Sequence, residues 1–127
     1  MGVTMANQKV KSVLNKFTDT VKQKEILAAI IGMGYVGLPL AIEFARAGYR
    51  VLGFDIDPKK VQKLNQGKSY IHHIPGEKIR GMLKEGLFEA TSDFSRLSES
   101  DAISICVPTP LNKYREPDLS YVERTAQ

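Results

Sequence analysis

The chain has 127 residues, enough for one domain of ordinary size. Hydrophobic residues make up 43% of it and charged residues 25%, a globular balance that excludes a disordered or fibrous protein. Its single cysteine excludes a disulfide framework and a zinc site built from several thiolates. No apolar run approaches the roughly 20 residues of a membrane span, and the first residues lack the features of a secretory signal. We therefore expect a cytoplasmic protein.

The net charge of +4 is confined to the N-terminal end of the sequence. Residues 1–24 contain five lysines and one acidic residue, whereas residues 25–127 contain 13 basic and 13 acidic residues. The second part therefore lacks the basic face on which nucleic-acid binding depends. We divide the chain into an N-terminal arm, residues 1–24, and a body, residues 25–127, and we expect no nucleic-acid partner.

Apolar residues of the arm recur at helical spacing and predict an amphipathic helix with lysines on its other face. They are Val10, Val13, Leu14, Phe17 and Val21. We expect this stripe to pack on the body or on a second subunit. A lysine-rich amphipathic helix could instead lie on an anionic membrane, but a stripe with one Phe and no Trp favours packing.

The body alternates predicted strands and helices. The predicted strands are residues 26–31, 50–55, 88–91 and 101–107, and the predicted helices are residues 35–47, 58–66, 77–84 and 118–126. Alternating elements joined by short loops predict right-handed crossovers and a parallel sheet. The predicted fold is α/β, a Rossmann-like doubly wound parallel sheet preceded by the arm helix. Because no strand follows the last helix, we expect the sheet to be truncated.

A glycine-rich sequence, Gly32-Met33-Gly34-Tyr35-Val36-Gly37, follows the first predicted strand and opens a predicted helix. Gly32 would allow a tight turn, Gly34 would let a pyrophosphate approach the backbone, and Gly37 would let the helix pack closely on the strand. The helix N-terminus would present free N–H groups and a partial positive charge to the phosphates. The alternative is a glycine-rich turn that binds no ligand.

The second predicted strand ends at Asp55, 23 residues after Gly32. A carboxylate at this position can accept hydrogen bonds from ribose hydroxyls and would repel a 2′-phosphate, which favours NAD over NADP. Asp57 is the rival acid, but side-chain alternation points it the other way, and Pro58 suits a helix start. The turn, the helix, the strand and the acid together predict a dinucleotide-binding domain.

Three ordered motifs resemble those of the UDP-glucose/GDP-mannose dehydrogenase family. They are residues 32–41, Gly53-Phe54-Asp55-Ile56-Asp57 and Val107-Pro108-Thr109-Pro110. Pro39 lies five residues into the predicted helix and leaves the carbonyl of Tyr35 without its usual partner, so a bent or solvated first turn is expected. A proline at this position is nevertheless usual in the family. The segments 69–75 and 109–120 are most similar to bacterial UDP-N-acetylglucosamine 6-dehydrogenases.

The resemblance implies that two NAD oxidise the C6 alcohol of a UDP-sugar to a carboxylate, for surface polysaccharide synthesis. UDP-N-acetylglucosamine is the implied substrate, with UDP-N-acetylmannosamine and UDP-glucose as alternatives. In the family, the cysteine that holds the aldehyde and thioester intermediates lies in a later part of the chain, with most of the sugar-nucleotide site. We therefore expect this chain to be inactive alone and the parent enzyme to be a homo-oligomer. An alternative of another class is a non-catalytic dinucleotide-sensing module.

The resemblance also implies which residues contact NAD. It assigns the N–H of Val36 to the pyrophosphate, Asp55 and Lys60 to the adenosine ribose, and Thr109 to the nicotinamide side. Lys60 could equally be a solvated helix lysine, and Thr109 a turn residue between prolines. The candidate cofactor-binding residues are Gly32, Met33, Gly34, Tyr35, Val36, Gly37, Asp55, Ile56, Lys60, Val107, Pro108 and Thr109.

Two other residue types invite a functional interpretation that the sequence does not favour. Cys106 lies inside an apolar run, which predicts a small buried hydrophobe rather than a nucleophile. His72 and His73 are adjacent, so their side chains diverge, and no further Cys or His completes a coordination set with them. We therefore expect no catalytic residue and no metal ligand in this chain.

Overall fold

The computed structural model describes residues 5–22, 25–107 and 119–126. The arm forms one helix, and the body alternates strands with helices, as predicted. The elements are α1 (Met5–Lys22), β1 (Leu27–Ile31), α2 (Gly37–Arg46), β2 (Arg50–Phe54), α3 (Pro58–Asn65), α4 (Gly76–Lys84), β3 (Phe88–Thr91), a 3-10 helix (Phe94–Glu99), β4 (Ala102–Ile105) and α5 (Ser120–Ala126).

The four strands form one parallel sheet in the order β3-β2-β1-β4. This order confirms the predicted Rossmann-like fold, because the chain first moves outward from β1 to β3 and then returns to the other side of β1. Ile31, at the end of β1, is level with Phe54 of β2 and Ile105 of β4. The carboxyl ends of these strands therefore meet at one edge, beside the point where the strand order reverses, which is where open α/β sheets bind ligands.

Side chains of β1 and β2 alternate between two apolar clusters, which explains their unbroken hydrophobic runs. Ile30 and Val51 belong to the larger of the two, the main apolar cluster, with residues of α2, α3 and α4. Ile31 and Phe54 face the opposite side. There the 3-10 helix supplies the cover, and the ring of Phe94 packs on that of Phe54 with 5.4 Å between centroids.

Pro39 is the third residue of α2 and not the fifth, because the helix begins at Gly37 and not at Tyr35. In the first turn of a helix the regular hydrogen bonding is only beginning, so a proline there costs little and deprives only the carbonyl of Tyr35 of a donor from residue 39. On either side of Pro39, the N–H groups of Leu38 and Leu40 donate hydrogen bonds of 3.1 Å to the carbonyls of Gly34 and Val36. The expected disturbance therefore falls at the helix start.

The arm helix is confirmed as α1, but the body does not cover its apolar stripe where the structure describes side chains. Val10, Val13 and Leu14 are 59%, 68% and 58% exposed. The side chains of Phe17 and Val21 lie outside the described part. Packing of the stripe on a second subunit stays a prediction. In the described ranges, no helix has the length and apolarity needed to cross a membrane.

Candidate functional site

The turn between β1 and α2 depends on two glycines. Gly32 has a φ of +98°, and a Cβ there would lie 2.5 Å from the carbonyl oxygen of Cys106 at the end of β4. A Cβ on Gly37 would overlap the carbonyl oxygen of Gly32. Any side chain at either position would push the turn away from the sheet, so the tight turn and close helix packing predicted for these two residues are present.

The N-terminus of α2 faces open space. A Cβ on Gly34 would meet no described atom within 4 Å. The side chains of Tyr35 and Val36 are 78% and 67% exposed. Within the described chain, no side-chain hydrogen bond caps this helix end, and its first turn carries no acidic residue. Such an end combines available backbone donors with the positive pole of the helix dipole, and can therefore accept a phosphate group.

Met33, in the middle of the turn, is held through both backbone groups and its side chain. Its N–H donates a hydrogen bond of 3.0 Å to Oδ2 of Asp55. Its carbonyl oxygen accepts a hydrogen bond from the hydroxyl of Tyr70. Its side chain is fully buried, and a Cβ on Gly53 would lie 2.7 Å from its Sδ atom. The turn is therefore held by contacts within the chain.

At the end of β2, the carboxylate of Asp55 can accept more hydrogen bonds than those it accepts within the chain. Its Oδ2 accepts the Met33 N–H, and its Oδ1 accepts the N–H of Asp57 at 2.9 Å. Two carboxylate oxygens offer about four lone-pair positions, so both can also accept from ribose hydroxyls. Ile56, beside Asp55, is 83% exposed and offers an apolar surface at the same edge.

Asp57 has the role expected of a residue before a helix-starting proline. Its carboxylate accepts the N–H of Lys59 at 2.9 Å and so caps the N-terminus of α3. The rival acid thus serves the helix, while Asp55 faces the glycine turn.

A cavity of about 410 Å³ lies beside the turn. Its lining residues are Gly34, Tyr35, Asp57, Lys59, Lys60, Lys63, Tyr70 and Ile71. The Nζ atom of Lys60 lies 5.6 Å from the centroid of the Tyr70 ring, within range of a cation–π interaction. The structure therefore brings Lys60 to the glycine turn, and its contact with the ribose stays a prediction.

Sequence reasoning missed Tyr70, Lys59 and Lys63 as residues of this site. Tyr70 reaches Met33 across 37 residues, a contact that no local pattern indicates. The segment 69–75 carries a family resemblance, but its sequence indicates no contact with the turn. Lys59 and Lys63 look like ordinary charged positions on the outer side of a helix.

The end of β4, the third strand that borders the site, lies only partly within the described residues. Val107 is half-buried and packs on the smaller apolar cluster. Pro108 and Thr109 lie outside the described residues, so their predicted place beside the cofactor stays a prediction. Cys106 is half-buried against the main cluster, as expected of a small apolar residue, and its N–H donates a hydrogen bond of 2.7 Å to the Ile31 carbonyl.

The histidine pair lies at the surface. His72 and His73 are both exposed in the loop before α4. No group of three or more His, Cys, Asp or Glu residues in the described part of the chain could hold a metal ion.

The family model of the UDP-glucose/GDP-mannose dehydrogenase family, NAD binding domain, matches residues 26–127. The chain belongs to this family. NAD is therefore the cofactor of this domain, and the turn, the open helix N-terminus and Asp55 fit its pyrophosphate and ribose. The chain is also 43% identical over 100 residues to a UDP-N-acetyl-D-mannosamine dehydrogenase of Pyrococcus horikoshii, and 38% identical over 96 residues to a UDP-N-acetyl-D-glucosamine 6-dehydrogenase of Salmonella typhi.

These matches cover 76% of the present chain in each case, but only 23% and 22% of the relatives. Solved structures agree with them. The UDP-D-ManNAc dehydrogenase of Pyrococcus horikoshii matches with a TM-score of 0.72 and 39% identity over 78% of this chain and 24% of that one. A UDP-glucose dehydrogenase of Pyrobaculum islandicum matches with a TM-score of 0.75 and 32% identity over 80% of this chain and 24% of that one.

Proposed function

We propose that this chain is the NAD-binding portion of a nucleotide-sugar 6-dehydrogenase. The parent enzyme would oxidise the C6 alcohol of a UDP-sugar to a carboxylate with two NAD, for surface polysaccharide synthesis. The observation that carries the proposal is the position of Asp55, whose carboxylate bonds the glycine turn and retains acceptor capacity for a ribose. We expect the enzyme to act in the cytoplasm as a homo-oligomer.

Each part of the site has a role in this proposal. The N-terminus of α2, including the N–H of Val36, binds the pyrophosphate, because backbone donors and the helix dipole converge there. Asp55 accepts the ribose hydroxyls, Lys60 lies beside that ribose, and Ile56 contacts the adenine side. Thr109 borders the nicotinamide side. Bound NAD supplies the hydride acceptor, and the chain's own residues hold and orient it.

UDP-N-acetylglucosamine is the proposed substrate. The resemblance of residues 69–75 and 109–120 supports it, as does the 38% identical relative that is named for this sugar. UDP-N-acetylmannosamine is the second candidate, and it is favoured by the 43% identical relative that is named for it. UDP-glucose is the third. The three differ at C2 of the hexose, in configuration or in the substituent.

The test is to express the whole gene that encodes this chain and to measure NADH formation from NAD with each of the three UDP-sugars. We expect two NADH for each sugar, with UDP-N-acetylglucosamine giving the highest kcat/KM. A higher value for UDP-N-acetylmannosamine would replace the proposed substrate and leave the reaction standing. A protein that binds NAD but reduces none with any of these sugars would support the sensing module.

We also expect the purified 127-residue chain to form no NADH by itself. Its one thiol belongs to Cys106, which is half-buried, with its Sγ 3.8 Å from Oγ of Ser104. NADH formation by this chain with any UDP-sugar would contradict the assignment of the chemistry to another part of the parent enzyme.

A further inference from the structure

Tyr70 connects the loop between α3 and α4 to the glycine turn. Its hydroxyl donates a hydrogen bond to the carbonyl oxygen of Met33, and its ring packs against the main apolar cluster. We propose that Tyr70 is a positioning residue that holds the glycine turn in the conformation that accepts the pyrophosphate. This inference rests on the NAD-binding function proposed above.

The orientation of the Met33 carbonyl determines the orientation of the next backbone N–H in the turn. A peptide group is planar, so fixing this carbonyl also fixes the direction of the Gly34 N–H on the other side of the same peptide bond. Gly34 is the residue whose open surface borders the cavity. A hydrogen bond to Met33 therefore orients the backbone at the position where the pyrophosphate approaches.

Tyr70 and Asp55 hold Met33 from two directions. Asp55 accepts its N–H, and Tyr70 donates to its carbonyl, so both backbone polar groups of this residue are satisfied by side chains. Without the hydroxyl, the partly buried carbonyl would lose its partner, and the turn would lower its free energy by rotating the Met33–Gly34 peptide toward water.

The loop that carries Tyr70 is rigid enough to act as a support. Oγ of Ser69 accepts the N–H of Ile71 at 3.2 Å and donates to the carbonyl of Ile71 at 3.1 Å. Ile71 and Ile74 are buried in the main cluster. The phenol ring is therefore anchored on both sides before it reaches the turn.

The surroundings of the phenol keep it in the donating form. Burial, reinforced by the negative charges of Asp55 and Asp57, raises the pKa of Tyr70 above its ordinary value. The hydroxyl is protonated at neutral pH in any case, and here it keeps its proton to a higher pH than an ordinary tyrosine does. The same ring lies under the Lys60 ammonium, so Tyr70 also supports the cation beside the ribose position.

The experiment compares Tyr70→Phe with the unsubstituted chain, because this change removes one oxygen atom and keeps the ring. Affinities for NAD, ADP and AMP are measured by calorimetry, and the carbonyl carbon of Met33 is followed by NMR without nucleotide. We expect Tyr70→Phe to weaken the binding of NAD and of ADP about five- to tenfold, and the binding of AMP less than about twofold. NAD and ADP carry a second phosphate, and the binding of this phosphate depends most on the turn. The Met33 carbonyl resonance should move upfield as its hydrogen bond is lost.

Tyr49→Phe is the matched control. Tyr49 lies just before β2, at the opposite edge of the sheet from the glycine turn, and its ring contacts Phe44. This variant should bind all three nucleotides as the unsubstituted chain does. If Tyr70→Phe does not fold, the same bond is tested in the unsubstituted chain by a through-bond coupling between the Tyr70 hydroxyl proton and the Met33 carbonyl carbon, and its absence would overturn the inference.

The outcomes separate this inference from the proposed function. If Tyr70→Phe weakened the binding of ADP and AMP equally, Tyr70 would not position the turn. The same conclusion would follow if the affinities and the Met33 resonance were both unchanged. In either case, NAD binding by the unsubstituted chain would leave the proposed function standing. Failure of the unsubstituted chain to bind NAD or ADP would overturn the proposed function, and with it the role assigned to Tyr70.

Discussion

The N–H of Met33 donates a hydrogen bond of 3.0 Å to Oδ2 of Asp55, across 22 residues of sequence. The bond joins the glycine turn after β1 to the end of β2. It therefore links the two features that indicate NAD binding, the turn and the acid. Asp55 therefore has two roles that can be separated by experiment. It orders the turn, and its remaining lone pairs are available to a ribose.

Asp55→Ala is expected to weaken NAD binding at least tenfold, because hydrogen bonds to a charged group contribute about 1.5–3 kcal/mol. Asp55→Asn retains one acceptor oxygen and removes the charge, so it should lose less NAD affinity and narrow the preference for NAD over NADP. Calorimetric titration with both nucleotides measures these effects.

Asp57→Ala is the control for that experiment. It removes the cap of α3 and should cost about 1 kcal/mol of unfolding free energy. Asp57 lines the cavity, but its carboxylate is engaged by the N–H of Lys59, so this change should weaken NAD binding less than Asp55→Ala does. If Asp57→Ala weakened NAD binding as much as Asp55→Ala does, the assignment of the ribose to Asp55 would be wrong.

Two glycines of the turn are expected to respond differently to an added methyl group. Gly37→Ala should destabilise the fold by about 1–3 kcal/mol or more, because its Cβ would overlap the Gly32 carbonyl oxygen. Gly34→Ala should leave the melting temperature nearly unchanged, since its Cβ meets no described atom within 4 Å, and should weaken NAD binding because the methyl occupies the path of the pyrophosphate.

Gly81→Ala is the matched control for these substitutions. Gly81 lies within α4, and its Cβ would also meet no described atom within 4 Å. This change should raise the unfolding free energy by roughly 0.5–1 kcal/mol through helix propensity and leave NAD binding unchanged. Normal NAD affinity in Gly34→Ala would contradict the position given to the pyrophosphate.

The sheet and its ligand edge could be predicted from local patterns. The run 26–31 and the glycines after it required a buried strand and a tight turn, and the position of Asp55 followed from spacing alone. The 3-10 helix at Phe94–Glu99 was missed because its apolar residues, Phe94 and Leu97, are too few to establish a period. The side chain of Asp93 caps it through the N–H of Ser95, a signal that is also common in ordinary turns.

Other parts of the site depend on contacts that are distant in sequence. The bond from Tyr70 to Met33 exists only after α3 and the loop that follows have folded back onto the turn. The sequence predicts a helix from Tyr35, but Tyr35 and Val36 belong to the turn, and the helix begins at Gly37. The exposure of Val10 and Leu14 shows that a helical stripe alone does not identify what covers it.

Stability is expected to fall in acid partly through Glu89. Arg96 hydrogen-bonds Glu89 at 2.6 Å, which holds the pKa of this carboxyl below its ordinary value of 4.5. A lowered pKa in the folded state means that the contribution is present above pH 4.5 and is lost as the pH falls below it. The effect should be small, because the Glu89 side chain is 57% exposed and solvent screens the pair.

Urea denaturation at a series of pH values measures this contribution. Between about pH 5 and pH 3, the free energy of unfolding of Arg96→Gln should fall less steeply than that of the unsubstituted chain. Arg46→Gln is the control, since Arg46 and Glu43 form a looser, exposed pair at 3.6 Å. If all three chains lost stability in parallel, Glu89 would not contribute to the acid sensitivity.

The glycine turn and Asp55 together form the NAD site that we infer. An amide-resolved NMR titration of this chain with NAD, and separately with NADP, is the decisive measurement. We expect saturable shifts for NAD at the amides of residues 32–37 and of Asp55, extending to those of Val107 and Thr109, with weaker shifts for NADP. A folded chain that shows no response to NAD, or that shifts elsewhere, or that binds NADP as tightly as NAD, would contradict it.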